Sequence, residues 1–169
     1  MAGSKQVSLH NIQIGSKIGI KNNMNTSLTY RKATKKDLDY LLDLRTKTMV
    51  PHYAEANLPT DHDTTLKRVL HEFEKANIIL MDNQPVGLLK INKTSSATEV
   101  LQLQIDPAQQ GKGLGRLILT NILEEASLVK NIVSLSVLKT NKAQHLYSSL
   151  GFKIVSEDEH SYFMEFSPS

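Results

Sequence analysis

The stretch Ile105-Asp106-Pro107-Ala108-Gln109-Gln110-Gly111-Lys112-Gly113-Leu114-Gly115-Arg116 constrains the fold more than any other part of the chain. Before it, Leu101, Leu103 and Ile105 alternate with Gln102 and Gln104, which predicts a strand over Glu99–Ile105. After it, Leu114, Leu117, Ile118, Ile122 and Leu123 form the stripe of an amphipathic helix over Leu114–Leu128. Three of the chain's eight glycines fall within five residues between the two. A helix start leaves backbone N–H groups without partners, and the helix dipole makes that end partly positive. Glycines let a ligand come close to that backbone. The turn is therefore a candidate bed for a phosphate, with Lys112 and Arg116 adding charge at its rim; its other reading is a plain strand-to-helix turn.

Two other glycine motifs are excluded by the residues themselves. A Walker turn needs Gly-Lys followed by Ser or Thr, and Lys112 is followed by Gly113. A dinucleotide-binding turn needs glycine or alanine at its sixth position, and Arg116 stands there.

The rest of the chain mixes both kinds of element. Strands are expected at Ser27–Lys32, Ile78–Met81, Val86–Ile91, Ile132–Leu138, Lys153–Val155 and Tyr162–Phe166. Helices are expected over Asp37–Met49, Thr64–Lys75 and Ala143–Leu150, the last capped by Asn141 and ended by Gly151. In the first of these, Arg45 interrupts the stripe of Leu38, Leu41 and Leu42. Pro51 to Asp63 reads as a loop, and Asp82-Asn83-Gln84-Pro85 as a turn. The class is α/β (α+β), with a largely antiparallel sheet implied by the hairpins.

At 169 residues one domain is expected, with residues 1–26 as a leader and residues 27–169 as the folded unit. Residues 1–23 hold Lys5, Lys17 and Lys21 and no acid, so the remaining chain carries equal numbers of basic and acidic residues despite the net charge of +3. With no basic stripe, nucleic-acid binding has little support. The absence of cysteine excludes disulfides, thiolate metal sites and a cysteine nucleophile, and it fits a reducing cytoplasm. His62 between Asp61 and Asp63 reads as a polar loop, so no metal is expected. No apolar run reaches the roughly 18 residues of a membrane span, and the N-terminus lacks the apolar segment of a signal peptide.

The pattern Gln110-x-x-Gly113-x-Gly115 resembles the acyl-CoA-binding motif of the GNAT superfamily of N-acetyltransferases. Asn141-Lys142-Ala143-Gln144-His145-Leu146-Tyr147-Ser148-Ser149-Leu150-Gly151-Phe152 is similar to the family's later motif. The order of elements from Ser27 to Phe166 is similar too. The resemblance implies a GNAT-like fold, a mostly antiparallel sheet of about six to seven strands flanked by about four helices. It also implies transfer of an acetyl group from acetyl-CoA to a primary amine of a small molecule or protein, and it allows a homodimer. By the same resemblance, the backbone of Leu103, Gln104 and Ile105 would hold the pantetheine arm. Gln110, Gly111, Lys112, Gly113, Leu114, Gly115 and Arg116 would form the pyrophosphate turn. Asn141 would contact the cofactor arm, and Tyr147 would sit near the thioester sulfur.

Such a reaction needs an acid and a base. A thiol resembling cysteine has a pKa of about 8.5 against about 10 for tyrosine, so proton transfer from Tyr147 is uphill by about 2 kcal/mol, a small demand on an enzyme. Tyr147 also shares a helical face with Ala143, Leu146 and Leu150, so packing is its other reading. Glu99 is the candidate base: in a regular strand it shares a face with Leu101, Leu103 and Ile105, where burial would raise its pKa. Its other reading is a solvated strand end. His52, Tyr53 and Glu55 stand where the family shapes its acceptor pocket. The alternative function is a non-catalytic acyl-CoA-binding or sensing module on the same fold.

Overall fold

The computed structural model describes residues 28–169. The leader expected over residues 1–26, and Ser27, lie outside the described residues. Seven strands form one sheet: β1 (Leu28–Lys32), β2 (Ala76–Met81), β3 (Gln84–Lys93), β4 (Ala97–Ile105), β5 (Ile132–Leu138), β6 (Lys153–Glu157) and β7 (Ser161–Phe166). Their order is β1-β2-β3-β4-β5-β7-β6. Every neighbouring pair is antiparallel except β4 and β5. A parallel pair needs a long crossover, and α4 (Leu114–Leu128) supplies it.

Among the described residues five helices flank the sheet: α1 (Leu38–Thr48), α2 (Val50–Glu55), α3 (His62–Leu70), α4 and α5 (Ala143–Ser149). On one face, Ile118, Ile122, Leu123 and Ala126 of α4 pack on Leu89, Val100, Val133, Leu135 and Val137. On the other, Leu41 and Leu44 of α1 and Val69 of α3 pack on Ala76, Ile78 and Leu88. The sheet is thus the middle layer of three, and each apolar stripe finds its own face.

Four sequence expectations need correction. The loop expected over Pro51–Asp63 contains α2, because proline lacks only an N–H that the first helical turn leaves unpaired anyway. The helix expected over Thr64–Lys75 starts earlier, where the Asp61 carboxylate accepts from Thr64 N at 2.9 Å. It also ends earlier. Lys90 Nζ on β3 donates to the carbonyls of Val69 and His71, and Glu72 takes a left-handed φ of 50° before a separate 3-10 turn at Phe73–Lys75. Finally, Arg45 does not break the buried stripe of α1 by facing water; it is itself buried, at 3% exposure.

The fourth strand holds the correction that bears on function. Lys90 pairs with Gln102 but Ile91 pairs with Val100, so Leu101 is an extra, bulged residue. The bulge reverses the alternation. Val100, not Glu99, shares the face of Leu103 and Ile105, and it packs with them in the α4 core. Glu99 is exposed on the opposite face.

Candidate active site

The same bulge marks where the sheet opens. β4 pairs with β5 only from Ala97↔Ile132 to Val100↔Leu135, yet β4 runs on to Ile105 and β5 to Leu138. Beyond Val100 the edge of β4 facing β5 has no strand partner, and backbone polar groups left so need another. A cleft of about 730 Å³ fills this gap.

One wall of the cleft is Leu103, Gln104 and Ile105, continuing through Gln110, Gly111, Gly113, Leu114, Gly115 and Arg116. Gly111 and Gly113 have φ of 75° and 81°, a region other residues enter only at a cost, and the space beside each Cα is open. Gly113 is the N-cap of α4, so the N–H groups of Leu114, Gly115 and Arg116 have no intrahelical acceptor. The Arg116 guanidinium donates to Ser149 Oγ at 2.8 Å, and Ser149 Oγ donates to Leu146 O, which ties the rim of the turn to α5. Gln110 Nε2 donates to Ile105 O at 2.9 Å and closes the turn on the strand end. Lys112 lies outside the lining, its ammonium donating to Gln109 Oε1 at 3.0 Å.

The opposite wall is the loop and helix after β5. The N-cap of α5 is Lys142 and not the expected Asn141, whose Oδ1 accepts from Ala143 N at 2.9 Å just before the helix; Asn141 lines the cleft. Tyr147 lines it one turn further on. Its ring meets Phe152 edge-on, with centroids 6.0 Å apart, and packs at the border of the α4 core. Its hydroxyl makes no hydrogen bond among the described residues, and burial pushes the phenol pKa above its ordinary value. Tyr147 thus both packs at the core border and lines the cleft.

The far end of the cleft is closed by Thr48, Met49, His52 and Glu55 of α1 and α2, with Thr140 across from them. Thr140 Oγ1 donates to His52 O at 2.9 Å and joins residues 88 apart in sequence. Thr48, Met49 and Thr140 escaped the sequence reading, since nothing local marks a contact of such range. Glu99 is not in the cleft. Among the described residues no group of three or more His, Asp or Glu stands where a metal ion could be held.

The acetyltransferase (GNAT) domain model matches residues 48–168. Mycothiol acetyltransferase of Propionibacterium freudenreichii is 29% identical over 131 residues, covering 72% of this chain and 42% of that protein. The chain therefore spans less than half the length of that relative. Spermidine N(1)-acetyltransferase of Escherichia coli K12 is 26% identical over 151 residues, covering 82% of this chain and 79% of that protein. Among solved structures, the PaiA N-acetyltransferase of Thermoplasma acidophilum in complex with coenzyme A superimposes with a TM-score of 0.65 at 18% identity, covering 83% of this chain and 99% of that one. The split sheet, the glycine turn at the start of α4 and the family match over most of the chain lead to one conclusion: this protein belongs to the GNAT acetyltransferases.

Proposed function

We propose that the protein transfers an acetyl group from acetyl-CoA to a primary amine by direct attack, with Tyr147 as the acid. The observation that carries this is the cleft lined together by the open glycine turn, the unpaired edge of β4 and Tyr147. Acetyl-CoA supplies a thioester: the amine nitrogen bonds to its carbonyl carbon as the carbon–sulfur bond breaks, and sulfur leaves with the electron pair. The first-turn N–H groups of α4 and Arg116 bind the pyrophosphate. The edge of β4 from Leu103 to Ile105 pairs with the amides of the pantetheine arm, and Asn141 meets it from the other wall.

Tyr147 donates its phenolic proton to the departing sulfur. Its raised pKa keeps it protonated throughout the neutral range and makes the transfer somewhat more uphill than for a free phenol. The amine must also lose a proton. Among the side chains lining the cleft, the His52 imidazole and the Glu55 carboxylate are the groups with a lone pair able to take that proton. The amine proton leaves by that wall. Glu99, exposed and absent from the cleft lining, is too poorly placed for the part its sequence position suggested.

The relatives named for spermidine and mycothiol make small amines the first acceptors to try. The test is thiol release from acetyl-CoA over a panel of amines, which should be amine-dependent. Tight acetyl-CoA binding with no release on any amine would instead favour a binding or sensing module.

A further inference from the structure

Beneath α2 the described residues gather three cations, and no carboxylate is hydrogen-bonded to any of them. Arg45 is 3% exposed; its Nη2 donates to the Tyr53 hydroxyl at 3.0 Å, and its Nη1 has neither a partner nor contact with water. Two guanidinium groups lie against the Tyr53 ring, that of Arg45 at 5.4 Å and that of Arg68 at 3.8 Å from its centroid. Lys90, 1% exposed on the strand face below, has only main-chain carbonyls as partners. Arg45 repels both Arg68 and Lys90, and none of the three forms an ion pair among the described residues; Glu72 and Glu74 favour the Lys90 charge from further off, whereas Arg45 has only Tyr53 in its favour. Residues 1–27 contain no Asp or Glu, so that part of the chain holds no missing partner.

A guanidinium stays charged when buried, and a buried charge without a counter-charge is costly. The counter-charge therefore comes with a ligand. The place agrees. Arg45 does not itself line the cleft, but it shares its helical face with Thr48 and Met49, three and four residues on, which do. Gln104, 3% exposed in the β4 wall, also lines the cleft, and its Oε1 has no partner.

We infer that the acceptor carries a carboxylate as well as its amine, and that Arg45, with Arg68 beside the Tyr53 ring, binds that carboxylate at the α1–α2 end of the cleft. This rests on the acetyltransferase reading above. The carboxylate takes the place of the Tyr53 hydroxyl on Arg45, and α2, which buries no residue of its own, shifts to admit it. A guanidinium fork matches a carboxylate in geometry as well as charge. A polyamine offers it nothing.

The experiment compares acceptors that differ only in this group: free amino acids and short peptides against their carboxamides, with spermidine as a cation lacking a carboxylate. Thiol release from acetyl-CoA should show kcat/KM at least about tenfold higher for a carboxylate than for its carboxamide. Arg45→Gln and Arg68→Gln should each bring that ratio to within about twofold, and Arg45→Lys should fall between. Equal rates in the unaltered protein, a preference for spermidine over every carboxylate, or a ratio that survives both variants would overturn the inference. A thermal-melting arm separates it from the reading it rests on. If no amine releases thiol, the enzyme reading fails, yet a carboxylate-bearing peptide should still raise the melting temperature of the unaltered protein and not of Arg45→Gln. No rise overturns the carboxylate site as well.

Discussion

Gly113 and Glu99 show what a single residue can reveal and conceal. Gly113 stands at a positive φ with open space where a side chain would be, so its identity reports both a backbone need and a ligand's approach. Gly113→Asp places a strained, negatively charged residue against the pyrophosphate. Acetyl-CoA affinity measured by calorimetry should fall below detection, and unchanged affinity would remove the phosphate from this turn. Glycines in this pattern were legible because few other demands place three so close together. Glu99 was not legible in the same way, because its face depends on one bulged residue, Leu101, that strand periodicity does not announce. With Glu99 outside the cleft, Glu99→Gln should leave the acid limb of the pH–rate profile in place. Loss of that limb would return Glu99 to the chemistry and move the proton's exit away from His52 and Glu55.

At the level of elements, the cleft depends on how β3 holds β4. Gly87 on β3 lies so close to the Gln104 carbonyl that an added Cβ would collide with it. Gly87→Ala must push the two strands apart beside a residue of the cleft wall. It should cost roughly 1–3 kcal/mol in urea unfolding and raise the KM for acetyl-CoA. A variant of unaltered stability would mean that the strands yield there without strain. Elements whose stripes find an apolar face, such as α4, were readable from spacing alone. α2 was hidden by Pro51, which can open a helix as readily as it marks a loop. The end of α3 was hidden because Lys90, some twenty residues on, supplies the donor that stops it.

The whole molecule rests on contacts between distant elements, and one of them fixes how α1 leaves the sheet. Arg31 on β1 makes two hydrogen bonds to Asp37, at 2.8 and 2.9 Å, and Thr34 N donates to the same carboxylate at 2.8 Å. These partners, Arg31 first, hold the Asp37 carboxyl at about 2 against an ordinary 3.8. A carboxyl lowered by folding stabilises the fold fully above its unfolded pKa and loses that contribution as pH falls through the folded value. The stability gap between the unaltered protein and Asp37→Asn, read from urea midpoints, should therefore shrink between about pH 4 and pH 2. A gap constant over that range would show that the pair adds nothing by charge. The sheet order follows the same lesson of distance. Hairpins announced its antiparallel parts, but the opening of β4 from β5 arises only when the crossover through α4 is closed. The split strands and Tyr147 form one site only in the folded chain, and the chemistry assigned to them meets its most direct test in one assay. Thiol release from acetyl-CoA over an amine panel should be amine-dependent in the unaltered protein. In Tyr147→Phe, kcat should drop by about 10²–10⁴-fold while acetyl-CoA affinity stays within about threefold. Equal kcat in the two proteins would contradict Tyr147 as the acid, and no amine-dependent release with acetyl-CoA bound would contradict the transfer itself.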